Sequence, residues 1–171
     1  MNAAPPTRQE LILRAIAVAL AGIDSSIDPD KYATRVSRVE RYWINADDVA
    51  EGIALMLMST ADAPWEDRAR GGILAGGGTG KGIQEIRTDF SVEAIVKAEV
   101  LLDSELVSLC GDVMRAVLDE PTFGGLAQKT RWVRSQRSFA TPDAGDPHGM
   151  CKVDFAVFYR TEFARPGTAV A

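Results

Sequence analysis

Two stretches of two-residue alternation constrain this chain more than any other feature. In the first, Ile86, Thr88, Phe90, Val92, Ala94 and Val96 alternate with Arg87, Asp89, Ser91, Glu93 and Lys97, and the one lapse is Ile95 on the polar side. In the second, Val153, Phe155, Val157, Tyr159, Thr161 and Phe163 alternate with Lys152, Asp154, Phe158, Arg160 and Glu162. Successive side chains of a strand point to opposite faces. The pattern therefore predicts two strands with one buried face and one wet face, as in an antiparallel sheet.

An apolar sheet face has to be covered, and two segments carry helical periodicity. Near the N-terminus, Leu11, Ala15, Val18 and Gly22 share one face, and Ile12, Ile16, Ala19 and Ile23 share the adjacent one. Thr7 is placed as the N-cap, Glu10 completes a capping box, and Gly22 is the stop. The apolar stripe is wide, so this helix should be well covered. Leu102, Leu106, Leu109, Cys110, Val113 and Val117 predict a second helix, capped by Asp103 and ending near Leu118, with Pro121 confirming the stop. With 46% hydrophobic and 25% charged residues, the chain has enough apolar material for a core without a disulfide or metal staple. Its 171 residues suit one domain over 1–171, with 1–7 and 167–171 read as flexible.

The remaining segments are read more coarsely. Val36 to Ile44 is taken as a strand, and Asn45-Ala-Asp-Asp as a turn or cap. The near-continuous apolar run 52–60 fits a buried strand or a buried helix turn. Residues 61–84 form a long loop with seven glycines between Gly71 and Gly82. Gly124-Gly125 is a turn, Arg131 to Phe139 a polar strand, and 141–149 a hairpin loop that Cys151 follows just before the last strand. The order helix, strands, helix, strands predicts an α+β fold: an antiparallel or mixed β-sheet with two main helices packed on one face.

The motifs that invite chemistry are incomplete. A phosphate loop needs G-x-x-x-x-G-K-[ST], so that backbone N–H groups wrap the phosphates and a hydroxyl holds magnesium. In GGGTGKG the first glycine is replaced by Ala75 and the hydroxyl residue by Gly82, and the following residues alternate like a strand, which offers an anion no helix N-terminus. His148 and Cys151 have the spacing of two metal ligands, with Asp143 and Asp146 nearby. A closed zinc site needs about four ligands, and Pro147 and Gly149 beside the histidine point to a turn. There is no G-x-S-x-G elbow, Cys110 falls in a core pattern, and the carboxylate pairs Asp47-Asp48 and Asp119-Glu120 sit at element ends. No catalytic residue, cofactor or metal is expected.

Charge and leader features narrow the setting. A net charge of −5 disfavours dedicated nucleic-acid binding. The apolar runs are too short to cross a bilayer, and MNAAPPTRQE lacks the basic-then-apolar design of a signal peptide. Two cysteines fit a reducing compartment. Arg131, Arg134 and Arg137 make a local basic segment; on a regular strand Arg131 and Arg137 share one face and Arg134 takes the other. Its bland reading is a solvated face, and its functional reading is docking on an acidic neighbouring subunit.

Taken together, RQELILRAIAVALAGI, EIRTDFSVEAIVKA followed by DSELVSLCGDVMRAVL, the TFGGLA turn and the closing YRTEF strand resemble the phage tail terminator (tail-completion, minor tail) family of the lambda-like long-tailed type. The resemblance covers most of residues 8–166 and is weakest over 32–82. It implies a structural virion protein, not an enzyme, assembled in a host cytoplasm into a six-fold homo-oligomeric ring. Such a ring caps the head-proximal end of the tail tube, stops polymerisation and presents a surface to the head connector. The implied partners are further copies of the chain, the tube protein, neck proteins and the sheath of a contractile tail. Candidate contact residues are Gly76, Gly77, Gly78 and Lys81 in the glycine loop, Arg131, Arg134 and Arg137 in the polar strand, and Asp143, Asp146 and His148 after it. The C-terminal tail 164–171 is a further candidate. Two alternatives stay open: a head–tail connector protein, and a nucleotide- or phosphate-binding protein built on Gly76–Gly82.

Overall fold

The computed structural model describes residues 6–45, 48–49, 52–64, 74–75, 81–97, 102–140 and 148–164. Two helices, α1 (Arg8–Ala21) and α2 (Leu102–Leu118), combine with strands β1 (Val36–Glu40), β2 (Gly52–Pro64), β3 (Leu74–Ala75), β4 (Lys81–Lys97), β5 (Lys129–Ala140) and β6 (His148–Ala164). The sheet runs β1-β2-β4-β6-β5, with β3 paired to β4. β1 lies parallel to β2 and every other pairing is antiparallel. The fold is therefore α+β with a mixed sheet. The run 52–60 belongs to a strand, not a helix turn.

Both alternating segments fold as their period demands. Phe90, Val92, Ala94 and Val96 of β4 and Cys151, Val153, Phe155, Val157 and Tyr159 of β6 join one core with Ile12, Leu13, Ile16 and Leu20 of α1 and Leu106, Leu109, Val113 and Val117 of α2. The helices thus cover a single sheet face. Phe90 and Phe155 are direct cross-strand partners, and their rings stack at 5.1 Å between centroids, a pairing that adds to the burial of both rings.

The lapse at Ile95 has a structural cause. Ile95 packs with Ile44, Val49, Ala54 and Met56 in a second, smaller cluster. These residues occupy the outer sheet face, because Ala54, Met56 and Ile95 alternate with core residues along β2 and β4. The chain leaves β1 and brings Ile44 under the sheet, where its N–H meets Met56 Sδ at 3.2 Å. Ile95 is apolar because that part of the outer face is covered.

Several boundaries differ from the sequence expectation. β1 stops at Glu40, and Tyr42 and Trp43 lie beyond it, exposed. The loop expected over 61–84 gives up both ends to β2 and β4. His148, Gly149 and Cys151, expected in or beside a hairpin loop, lie within β6. Asp103 lies inside the first turn of α2 rather than capping it. In α1 the Thr7 hydroxyl caps the Glu10 N–H at 3.2 Å, but the Glu10 carboxylate is taken by Arg14 and Arg41. The core face of α1 adds Leu13 and Leu20, while Val18 faces solvent. Of the ends read as flexible, 1–5 and 167–171 lie outside the described residues, as do Ala46 and Asp47 of the expected turn.

Candidate functional site

The outer face of the sheet is held by cross-strand charge pairs. Glu85 and Arg160 are register partners, joined at 2.6 Å between Oε1 and Nη2. Glu93 and Lys152 are partners too, at 2.8 Å. Between them Ser91 Oγ donates to Asp154 Oδ1 at 2.7 Å, and Arg134 Nε of β5 donates to Asp154 Oδ2 at 2.6 Å. Burial pushes the Asp154 carboxyl up, but the bonds from Arg134 and Ser91 outweigh it and hold it below the usual carboxylate range. A depression of about 330 Å³ opens here, lined by Arg87, Ser91, Arg134, Lys152 and Asp154. These partners lock β4, β5 and β6 in register.

β5 is the strand that departs most from its regular reading. The register slips between Trp132 and Arg134, a bulge at Val133. Arg131 pairs with Ala156 and Arg134 with Asp154, so these two arginines share the outer face, and Arg137, opposite Cys151, takes the helix side. The expectation that Arg131 and Arg137 share a face is therefore corrected: one inserted residue shifts the alternation downstream of it. Arg131 lies 5.7 Å and Lys129 Nζ 4.7 Å from the centre of the Phe158 ring, a cation–aromatic contact on the strand's own neighbour. The basic segment is thus partly engaged within the chain, with Arg134 held by Asp154.

Of the other sequence candidates, Lys81 and His148 are placed by strand register. Lys81 opens β4 in register with Ala164, and Gly82 pairs with Phe163. A strand, β4, follows the glycines. His148 opens β6, opposite Lys97 on one side and Ala140 on the other. Gly76, Gly77, Gly78, Asp143, Asp146 and the tail from 165 lie outside the described residues. Cys110 of α2 and Cys151 of β6 are free, buried thiols. The neighbouring Cys110 thiol and burial push the Cys151 thiol well above its ordinary value, so it stays protonated and packs as a small apolar group.

Sequence reading missed three features. Asp112 on α2 is only 2% exposed. One of its oxygens accepts from Ala33 N at 2.9 Å, Thr34 N at 2.8 Å and Thr34 Oγ1 at 2.8 Å, and Arg115 reaches the other at 3.1 Å. It pins the segment before β1 to α2. A carboxylate inside an otherwise apolar helical stripe was the available signal. The second feature is Gly149, which lies directly beneath Leu102 and Leu106 of α2. The third is the placement of exposed aromatic residues at the two lateral ends of the sheet: Tyr42 and Trp43 beyond β1, Trp132 and Phe139 on β5.

No protein-family model matches the sequence, and no curated protein matches it. Among solved structures, the chain is similar to one described as the sheath/tube terminator of an extracellular contractile injection system, PVC, in its extended state, determined by cryo-EM. The similarity has a TM-score of 0.51 at 10% sequence identity and covers 100% of this chain. The chain spans 63% of the length of that protein. This α+β architecture, with helices on one face of a mixed sheet, is thus a tail-terminator-like fold.

Proposed function

We propose that this chain is a structural tail terminator. It caps the head-proximal end of a tail tube as a ring of identical copies, ends tube polymerisation and offers the joining surface for the head. The observation that carries the reading is the fold likeness to a sheath/tube terminator along the whole of this chain. The residue-level resemblance to the lambda-like terminators supports the same role from the sequence side. Its partners are further copies of itself in a six-fold ring, the tube protein and neck proteins, with the sheath added where the tail contracts. The work done is recognition rather than catalysis: a charge-balanced sheet face holds the strands rigid while edges and loops make contacts.

Electron microscopy of particles from a parent strain lacking this gene tests the proposal. The expected result is overlong tubes with unattached heads. Tails of normal length that lack heads would transfer the role to a neck protein, and normal infectious particles would overturn the assignment to the tail.

A further inference from the structure

We infer that Cys110 and Cys151 are a dithiol that a small-molecule disulfide closes to a bridge, Cys110 meeting the oxidant and Cys151 displacing it, so that α2 is bolted to β6. The inference goes beyond the terminator reading and does not depend on it.

The chain has two cysteines, and both lie in the core between α2 and the sheet, 6% and 3% exposed. The contact at Gly149 sets their positions. A Cβ on Gly149 would lie 2.6 Å from Leu106 Cδ1, so α2 approaches β6 as closely as a glycine allows. Cys110 follows Leu106 by one turn of α2, and Cys151 follows Gly149 by two residues on the same face of β6. The two advances are nearly equal, about 6 Å along a helix and about 6.6 Å along a strand. They also run the same way, since each thiol is the largest influence on the protonation of the other. Cys110 is thereby carried over Cys151. A disulfide needs Cα atoms within about 7 Å, and seating α2 on a glycine brings helix and strand toward that range.

The surroundings divide the roles. Cys151 is the deeper sulfur, on a strand flanked by β4 and β5, opposite Ala94 and Arg137. Cys110 sits at the border of the helix layer. Beside it Val107 is 48% exposed, and a Cβ on Gly111 would meet nothing within 4 Å. Arg137 comes from the exposed run 131–139 of β5. The Cys151 thiol, with the Arg137 charge assisting, holds the Cys110 thiol below its ordinary value against the upward push of burial. A buried cysteine taken singly is a packing residue. A thiol that ionises readily beside a cation, with a second cysteine next to it, has the features of a redox-sensitive one.

The exchange balances with a small-molecule disulfide as oxidant. The Cys110 thiolate attacks one of its sulfurs, the S–S bond of the oxidant breaks, one thiolate leaves, and a mixed disulfide forms on Cys110. Cys110 then carries no charge, so the chief cause that raised the Cys151 thiol is gone and Arg137 favours its thiolate. Cys151 attacks Cys110 Sγ and expels the second thiolate. Two electrons pass to the oxidant, and the protons of the two cysteines go to the two thiolates released. A chain that folds reduced is thus bolted when it meets an oxidising medium.

Intact mass spectrometry and thermal melts on the purified, fully reduced, full-length chain test the inference, with oxidised glutathione as the probe. The unmodified chain is expected to lose the mass of two hydrogen atoms, to carry no adduct, and to yield a cross-linked peptide joining residues 110 and 151. Its Tm is expected to rise by about 5–15 °C and to return when dithiothreitol is added. Cys151→Ser is expected to hold one glutathione on Cys110, and Cys110→Ser to stay unmodified while folded. Where serine abolishes the melt, alanine at the same position replaces it. Thiols of the unmodified chain that both stay free until urea unfolds it would overturn the inference. So would a lasting glutathione adduct on the unmodified chain, bridges between chains alone, or a bridge that fails to raise the Tm.

Discussion

Asp112 shows how one buried carboxylate can organise a segment far from it in sequence. Its oxygen accepts from two backbone N–H groups and a hydroxyl of Ala33 and Thr34, while Arg115 reaches from the same helix to the Lys31 carbonyl. Asp112→Ala leaves those donors without a partner inside the protein, so a loss of about 3 kcal/mol is expected in urea denaturation. Asp112→Asn keeps an acceptor and recovers part of it; equal losses for the two variants would contradict this account. Gly149 is the complementary case, where the absence of a side chain is what matters. A Cβ there would lie 2.6 Å from Leu106 Cδ1 and 3.1 Å from Leu102 Cδ1. Leu106 is fully buried and cannot swing away, so Gly149→Ala is expected to cost about 1–3 kcal/mol through overpacking. An unchanged denaturation midpoint would show that α2 yields instead.

At the scale of elements, α1 carries the Glu10 carboxylate paired with Arg14 and Arg41 instead of closing its capping box. The hydrogen bonds from Arg41 and Arg14 hold the Glu10 carboxyl down from its ordinary 4.5 to about 2. A group whose pKa is lower in the folded state stabilises that state above its unfolded pKa and loses the contribution as pH falls through the folded one. Stability should therefore decline from about pH 4.5 toward 2, and Glu10→Gln should flatten that part of the profile in thermal unfolding. A variant profile that overlays the unmodified one would remove Glu10 from the acid limb. In β5, the bulge at Val133 re-aims Arg134 onto Asp154 and leaves Arg137 on the helix side. Bulges and rows of cations also discourage uncontrolled edge pairing.

At the scale of the whole molecule, the strand order sets where stability resides. β4 and β6 are central and long, and their register partners include both rings of the Phe90–Phe155 stack. Among the described residues, β5 is paired on one side alone. In the isolated protein, backbone amides of β4 and β6 are expected to show the slowest hydrogen exchange, and the amides of β5 that point away from β6 fast exchange. Uniform protection across β5, β4 and β6 would mean that the β5 edge is covered in the free chain. The lateral ends differ for a topological reason. The start of β1 is flanked by residues 23–25, through Ser25 N to Thr34 O at 2.9 Å and Val36 N to Ile23 O at 2.9 Å, whereas β5 is the terminal strand of the opposite side.

The sequence by itself determined the α+β class, both alternating strands, the extents of both helices and the turn at Gly124-Gly125, because these follow from periodicities of two and 3.6 and from local turn chemistry. It also showed that the residues after the glycine loop form a strand. Only the tertiary structure decided that Ile95 belongs to a second cluster, since burial of an outer face depends on a segment some fifty residues away folding beneath it. The same holds for the faces of Arg131, Arg134 and Arg137: a bulge is a relation between two strands, and no period within one strand reveals it. The partners of Asp112 and the close approach over Gly149 are likewise products of packing. Strand order likewise places β1 and β5, and the exposed aromatic residues on or beside them, at opposite edges of the sheet. Periodicity acts along the chain; edges, registers and covered faces exist only between segments.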